Sequence, residues 1–522
     1  MSYLKINSIF ILFIIYFMMT NRRGLHIMQL EHYYKDRYLK WLKNNKREVF
    51  DLKRIALLII SSIVIFINEN IGVALTIITY LLLILTFPRK KEKLPFIITK
   101  RVKRQLWRYN DLLIFLGILL NAFHKVYLVT ILNICASFSY VFVYLIVFRN
   151  DRLEGKINKK FCDKASKKLS ENPSMKIVGI TGSFGKTSTK HAINAILSQK
   201  YNCLMTPASY NTTMGVVRTI NEQLKPIHNM FICEMGAKYI GDIKEICDIV
   251  HPNFAVITAV GPQHLDTFKT VENVSKTKFE LVDSLKEEDG LAFVNWEDEN
   301  IRKVNITKKF IKYGLHNDSD YYAENIETTE KGSSFDVVMP ENRRISIKTK
   351  LLGRLNVLNI VCGVAVADKL GLSEEEIKLG VKFIKPVEHR LELRPNSNGS
   401  IIIDDAYNSN ERGAQMALEV LGSFQGRQRV FITPGIVDLG NKAYEINKKL
   451  GKEATKYSDF IILVGEKQAG PLLDGVKETE YPENQVMVAK NLEEAIQKMY
   501  ELINANANTV VLLENDLPDN YL

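Results

Sequence analysis

Between residues 176 and 190 a short β-branched run, KIVGIT, passes through Thr181-Gly182-Ser183-Phe184-Gly185-Lys186-Thr187-Ser188 into a helix-like stretch. A Gly-rich turn between strand and helix points backbone N–H groups at phosphate oxygens, and the helix dipole favours the same negative charge. In that frame Lys186 can reach the terminal phosphates of ATP, and the Thr187 hydroxyl can sit on Mg²⁺. The general phosphate-loop pattern asks for Gly six residues before the lysine, where this chain has Ile180. The loop is therefore a shorter variant. A strand before it and a helix after it favour a nucleotide grip over an ordinary βα turn.

Seven further stretches follow: SYNTTMG (209–215), CEMGAKYIGDI (233–243), ITAVGPQHLDTF (257–268), SKTKFEL (275–281), GRLNVLN (353–359), EHRLE (388–392) and DDAYNSN (404–410). Taken in order with the loop, they resemble the Mur ligase family, the ATP-dependent amide ligases of bacterial cell-wall precursors. Within it they look most like the D-alanyl-D-alanine-adding branch. The resemblance covers residue 175 to about residue 440 and weakens beyond.

The resemblance implies a reaction. A carboxylate does not condense with an amine in neutral water, so the family phosphorylates it with ATP and lets the amine attack the acyl phosphate. That needs a γ-phosphate held in line and cations to offset charge. Carried over by position, Gly182, Ser183, Phe184, Gly185, Lys186, Thr187 and Ser188 hold the nucleotide phosphates. Thr187 and Glu234 take one Mg²⁺, and His264 helps with a second. Lys278 matches a lysine that the family carbamylates, which turns a repelled ammonium into an anion; read alone, it is a surface lysine on an amphipathic helix. Arg390 clamps phosphate oxygens, Asn295 sits at the adenine and Asp405 near the ribose. Asn211 and Thr212 fall in the substrate loop, with Tyr407 and Asn408 by the reacting groups. For Asn295 and Asn408 a local loop-capping role stays open. The expected catalytic set is thus Lys186, His264, Lys278 and Arg390.

The chain also departs from the pattern. The family's Thr-Asn-Val-Gly is Thr258-Ala259-Val260-Gly261, and Gly-x-His-Asn is Gly353-Arg354-Leu355-Asn356, which loses an imidazole. Glu411 replaces a proline, TPGIVDLG (433–440) replaces Gly-Asp-Met-x-Glu-Leu-Gly, and Glu514 ends the last strand where a lysine usually follows. The phosphate and cation groups are nearly complete, and the changes fall mostly where the amine would bind.

The elements that must position these residues are readable. KIVGIT, MFICEM, FAVITAV and LAFVN are short apolar runs separated by helical or polar stretches, the signature of a parallel sheet covered on both faces. Residues 318–350 alternate polar and apolar, as in a small antiparallel appendage. Ser373-Glu374-Glu375-Glu376 is a capping box that opens a helix. A second set, IIIDD, RVFIT, FIILVG and TVVLLE, builds another α/β unit. The expected fold is an α-helical membrane region followed by α/β: a P-loop central ATPase domain with a parallel sheet, then a Rossmann-like C-terminal domain. The expected boundaries are 1–150, a basic connector 151–174, 175–385 and 386–522.

The membrane expectation rests on apolar runs at 3–19, 55–67, 71–87, 112–123 and 126–148. A span needs roughly 20 apolar residues. Tight turns at Asn68-Glu69-Asn70 and His124-Lys125 would pair the short runs. Ten bases between Arg22 and Arg54 and nine between Arg89 and Arg108 predict a multi-pass anchor in the bacterial cytoplasmic membrane, with the catalytic domains in the cytoplasm. No paired charge lies deep in an apolar run, which favours an anchor over a conduit.

Charge narrows the partners. The chain carries +12, but residues 1–150 hold +15 and the remainder −3. The soluble part has no electrostatic reason to bind nucleic acid. Six cysteines without a Cys-x-x-Cys pair argue against a disulfide framework or structural zinc.

The expected function is ATP- and Mg²⁺-dependent ligation of an amino acid or dipeptide amine to the carboxylate of a cell-envelope precursor. Membrane lipid is an expected partner, and the acceptor is UDP-linked or lipid-linked. Alternatives are a polyglutamate-synthase-like ligase and, from another class, a P-loop transporter or sensor. A transport ATPase would need an LSGGQ-like helix start, which is absent. A non-catalytic scaffold would have no use for Lys186, Thr187, Glu234, His264 and Lys278 together.

Overall fold

The computed structural model describes all residues except 1, 32, 89–94, 124–127, 209, 397, 407–409, 438, 440–441, 467 and 516–522. The chain divides into two compact units, Met1–Lys159 and Lys160–Leu522.

The first unit is helical: α1 (Ser2–Leu30), α2 (Lys35–Asn44), α3 (Lys46–Val49), α4 (Leu52–Ile67), α5 (Glu69–Leu85), α6 (Lys100–Phe123), α7 (Val129–Ser137) and the start of α8 (Ser139–Ser170). Asn68 alone joins α4 to α5, and its side chain accepts the Asn70 and Ile71 N–H groups as an N-cap. One of the two expected tight turns therefore forms; the other, His124-Lys125, lies outside the described residues.

The expected multi-pass anchor does not form as a set of spans. Among the described residues one helix, Lys5–Leu30, is long and apolar enough to cross a membrane, or two if α7 and α8, bent by 80°, count as one span. The other apolar runs fall on helices of 16 and 17 residues or share α6 with the basic stretch Lys100–Arg108. Much of the apolar surface is spent inside the unit, where Phe13, Phe17, Tyr16, Tyr80 and Tyr109 are buried together. Ile59, Ile63, Phe66, Phe115 and Ile118 stay on its outside. The multi-pass membrane placement and the membrane-lipid partner are accordingly not supported.

The second unit holds two sheets. The first collects β1 (Lys176–Thr181), β2 (Cys203–Met205), β3 (Met230–Glu234), β4 (Phe254–Ile257), β5 (Leu291–Asn295), β6 (Phe310–Gly314), β7 (Tyr321–Thr329), β8 (Gly332–Val338) and β9 (Arg344–Thr349). Its order is β2-β3-β1-β4-β5-β6-β7-β8-β9, parallel as far as β7 and antiparallel beyond. Helices α9 (Lys186–Leu197), α10 (Thr213–Gln223), α11 (Asp242–Val250), α12 (Leu265–Phe268), α13 (Val271–Asp283), α14 (Glu299–Arg302), α15 (Gly353–Lys369) and α16 (Glu374–Lys382) connect or cover it. Two apolar cores form on the two faces, as a parallel sheet requires. The Ser373 capping box is complete in both directions.

The second sheet runs β10 (Glu392–Pro395), β11 (Ile401–Asp405), β12 (Gln428–Thr433), β13 (Phe460–Val464), β14 (Val486–Ala489) and β15 (Thr509–Glu514) in the order β10-β11-β15-β12-β13-β14. It is parallel except for β10. Around it lie α17 (Glu411–Gly422), α18 (Ala443–Tyr457), α19 (Ala469–Lys477) and α20 (Leu492–Glu501). The mixed α/β character and the parallel sheets expected from the sequence are present; β2, β6, β10 and β14 are too short or too mixed to show in the pattern.

Candidate active site

In the first sheet β1 lies between β3 and β4, so connections leave it in opposite directions and open a crevice at the carboxyl ends of the strands. The Gly182–Gly185 loop sits there and hands over to α9. Gly182 has φ +154°, and a Cβ on it would fall 2.1 Å from the Thr258 Oγ1; only glycine lets the loop pass so close to β4. The loop is fixed from that side: Ser183 N donates to Ala259 O at 2.8 Å, Gly261 N donates to Ser183 Oγ at 3.0 Å, and the Thr258 hydroxyl donates to the Phe184 carbonyl.

Lys186 folds back over the loop and donates to the carbonyls of Gly182 at 2.6 Å and Ser183 at 3.3 Å. Burial, with the Arg390 guanidinium adding to it against Glu234, brings its ammonium down to about 8. A phosphate would replace those carbonyls and restore the charge.

Glu234 closes the crevice from the end of β3. Its Oε2 accepts the Thr187 hydroxyl at 3.1 Å and the Lys190 ammonium at 3.0 Å, and its Oε1 accepts Asn211 Nδ2 at 3.0 Å. Burial works against its charge, yet Lys190 and Lys186 hold its carboxyl below the usual range. Gly236 leaves room for Asn211, whose side chain lies 2.8 Å from where a Cβ would stand.

A hydroxyl beside one carboxylate fits Mg²⁺, which binds few protein oxygens and keeps its remaining positions for water and phosphate. Thr187 and Glu234 are the residues that would hold it. Among the described residues no group of three or more His, Cys, Asp or Glu side chains gathers as a metal site.

Lys278 is no surface lysine. It is 1% exposed on α13, burial pushes its ammonium well down, and Lys186 pushes the same way. His264, with φ 51°, stands at the start of α12, and its carbonyl accepts Thr267 N at 2.9 Å. Ser188 shares a small cleft with His191, Asn356, Lys385 and Arg390. Arg390 acts electrostatically on both Lys186 and Asp405, so the second sheet's domain contributes a cation to the phosphate loop. Asp405 accepts Leu391 N at 3.2 Å and bonds the Glu514 side chain; burial raises its carboxyl to about 6, against Arg390.

Two expected site residues do local work. Asn295 donates to Thr258 O at 2.7 Å and accepts Glu297 N at 3.0 Å, tying β5 to the strand that braces the loop. Thr212 caps α10 by accepting Gly215 N at 3.3 Å. Tyr407 and Asn408 lie outside the described residues. Sequence reasoning passed over Lys190 and Asn359. Lys190 is one helical turn after Lys186, a spacing that puts both on one face. Asn359 accepts the Thr189 hydroxyl at 2.8 Å.

A glycine-bounded loop at the switch point of a parallel sheet, within electrostatic reach of an arginine from a second α/β domain, marks a protein of P-loop type built from two α/β domains. Residues 180–367 match the Mur ligase middle domain and residues 389–514 match the Mur ligase, glutamate ligase domain; the chain belongs to the Mur ligase family. A UDP-N-acetylmuramoyl-tripeptide–D-alanyl-D-alanine ligase of Buchnera aphidicola is 30% identical over 279 residues, covering 53% of this chain and 60% of the relative. The enzyme of that name from Escherichia coli is 29% identical over 296 residues, covering 56% and 65%. The crystal structure of MurF from Acinetobacter baumannii superposes with a TM-score of 0.62 at 25% identity, over 69% of this chain and 77% of that one. The chain thus spans about 60% of the length of the curated relatives it matches.

Proposed function

We propose that this chain is an ATP-dependent amide ligase that activates a carboxylate as an acyl phosphate and passes it to an amine, with residues 175–385 binding ATP and 386–522 completing the site. The observation that carries the reading is the Glu234 carboxylate bonded to Thr187 beside a loop-wrapped Lys186, facing Arg390 of the second domain. Lys186 and Arg390 bind and orient the γ-phosphate, and the loop N–H groups take up its oxygens. Thr187 and Glu234 hold Mg²⁺, which offsets phosphate charge when bound. A second ion near His264 and a carbamylated Lys278 belong to the same reading. Burial of Lys278 supports the modification, because an uncharged amine reacts with CO₂ and an ammonium does not.

The acceptor and amine follow from the relatives' names: the carboxylate of a UDP-N-acetylmuramoyl-tripeptide and the amine of D-alanyl-D-alanine. Those names favour this branch over a polyglutamate-type ligase. The test is phosphate release across a matrix of acceptors and amines, with Lys186→Ala as control. Release that needs both substrates and disappears in K186A is the expected result. Release independent of any amine would sink the ligase reading and favour a pump or sensor.

A further inference from the structure

Lys190 is the second lysine of α9, and neither its side chain nor its partner Glu234 is exposed by more than 1%. A buried ammonium needs full hydrogen bonding to be tolerated. Lys190 has two such partners, Glu234 Oε2 at 3.0 Å and the Ala208 carbonyl at 2.5 Å. Ala208 is itself in the left-handed region, φ 43°, a conformation that a non-glycine residue keeps only when its surroundings impose it. The strand carrying Glu234 holds the same segment elsewhere too, with Thr206 N donating to Ile232 O at 3.0 Å. Glu234 N donates to Thr206 Oγ1 at 3.1 Å, and Asn211 Nδ2 donates to Glu234 Oε1 at 3.0 Å.

One carboxylate oxygen, Oε2, is therefore shared by Thr187 and Lys190. A divalent cation taken up by Thr187 and Glu234 must meet that oxygen, and a neighbouring ammonium repels it. We propose that Lys190 is a positioning residue that links cation binding at Glu234 to the backbone at Ala208, and so to the acceptor-side residue Asn211. This rests on the ligase reading for what Asn211 meets, but the linkage itself does not.

Hydrogen exchange and Mn²⁺ binding on the full chain test it. In wild type, Mn²⁺ with ADP should change exchange at the Thr206, Ala208 and Asn211 amides, whereas ADP without the cation should not. Lys190→Met should speed exchange at Ala208 and tighten Mn²⁺ binding by about threefold or more, since a competing charge is gone. K190R should stay close to wild type in Mn²⁺ affinity. In turnover, K190M should raise the acceptor KM about tenfold, the scale of a lost charge-assisted hydrogen bond, with the KM for ATP little changed. Equal Mn²⁺ affinity in wild type and K190M, or exchange at Ala208 insensitive to Mn²⁺ in wild type, overturns the proposal; the second readout does not depend on K190M folding. Exchange that responds to Mn²⁺ in a protein releasing no phosphate with any acceptor would support the linkage and overturn the ligase reading instead.

Discussion

Arg427 grips both carboxylate oxygens of Glu330, at 2.8 and 2.9 Å, and its remaining arm donates to the Ala507 carbonyl at 2.9 Å. Glu330 lies in the β7–β8 turn of the first sheet and Arg427 just before β12 of the second. The pair therefore joins the antiparallel appendage to the C-terminal domain, far along the chain from the phosphate loop. Arg412, donating to the Glu297 carbonyl at 3.1 Å, is a second tie between the same domains. A two-pronged pair is better placed than most surface ion pairs, which contribute about 0–1 kcal/mol. A double-mutant cycle with R427A and E330A should give a coupling of about 1 kcal/mol in denaturant unfolding, shrinking in high salt. A coupling of zero would show the contact to be dispensable.

Gly182→Ala places a methyl carbon against Thr258 Oγ1 at a backbone angle that other residues avoid. The loop must move, at a cost of about 1–3 kcal/mol. The variant should fold, melt earlier and bind ADP at least about tenfold more weakly. Calorimetric titration with ADP measures it; wild-type affinity would show that the loop does not need this approach to β4.

Lys186 gives a pH signature. With its ammonium near 8, it is mostly neutral at pH 8.5, and bound phosphate should recharge it. ADP binding at pH 8.5 should then take up about three-quarters of a proton, seen as a dependence of the binding heat on buffer ionisation enthalpy, and K186M should abolish it. The same shift acts on stability. Between about 8 and the unfolded value of 10.5 the unfolded chain holds more proton, so this contribution to folding improves as pH rises through that window.

Glu514 and Asp405 face each other in register across β15 and β11, and Asp405 is raised to about 6 mainly by burial. A raised carboxyl loses stability as pH climbs from its unfolded value through its folded one. Glu514→Gln keeps a hydrogen-bond donor towards Asp405 at every pH. E514Q should therefore match wild type near pH 5 and exceed it at pH 8, by about 2–4 °C in Tm for each kcal/mol gained. An equal melting difference at both pH values would show that the effect does not follow the Asp405 carboxyl.

The phosphate loop was legible because its chemistry is local: glycine spacing, a strand before it and a helix after it. Glu234 was legible only through its neighbours in sequence, and its partner Lys190 was missed although the helical spacing from Lys186 was in plain view. That pairing depends on β3 lying beside β1, a fact of topology that no linear pattern carries. Asn295 shows the converse. Its side chain braces Thr258, a contact made by three-dimensional neighbours that the residue type alone does not announce. The N-terminal runs misled for a related reason. Hydropathy counts apolar side chains without seeing where the helix breaks, and the run from 126 to 148 is split at Phe138, where α7 gives way to α8 at 80°.

The nine-stranded sheet has two free edges, and neither offers a long template to another molecule. β2 at one end has three residues. β9 at the other alternates exposed Arg344, Ser346 and Lys348 with buried Ile345 and Ile347, and Arg344 is engaged by Glu324. Charged, short or engaged edges resist the strand-to-strand pairing that seeds aggregates. The margins of so broad a sheet are thus guarded against the addition of a strand from a second copy.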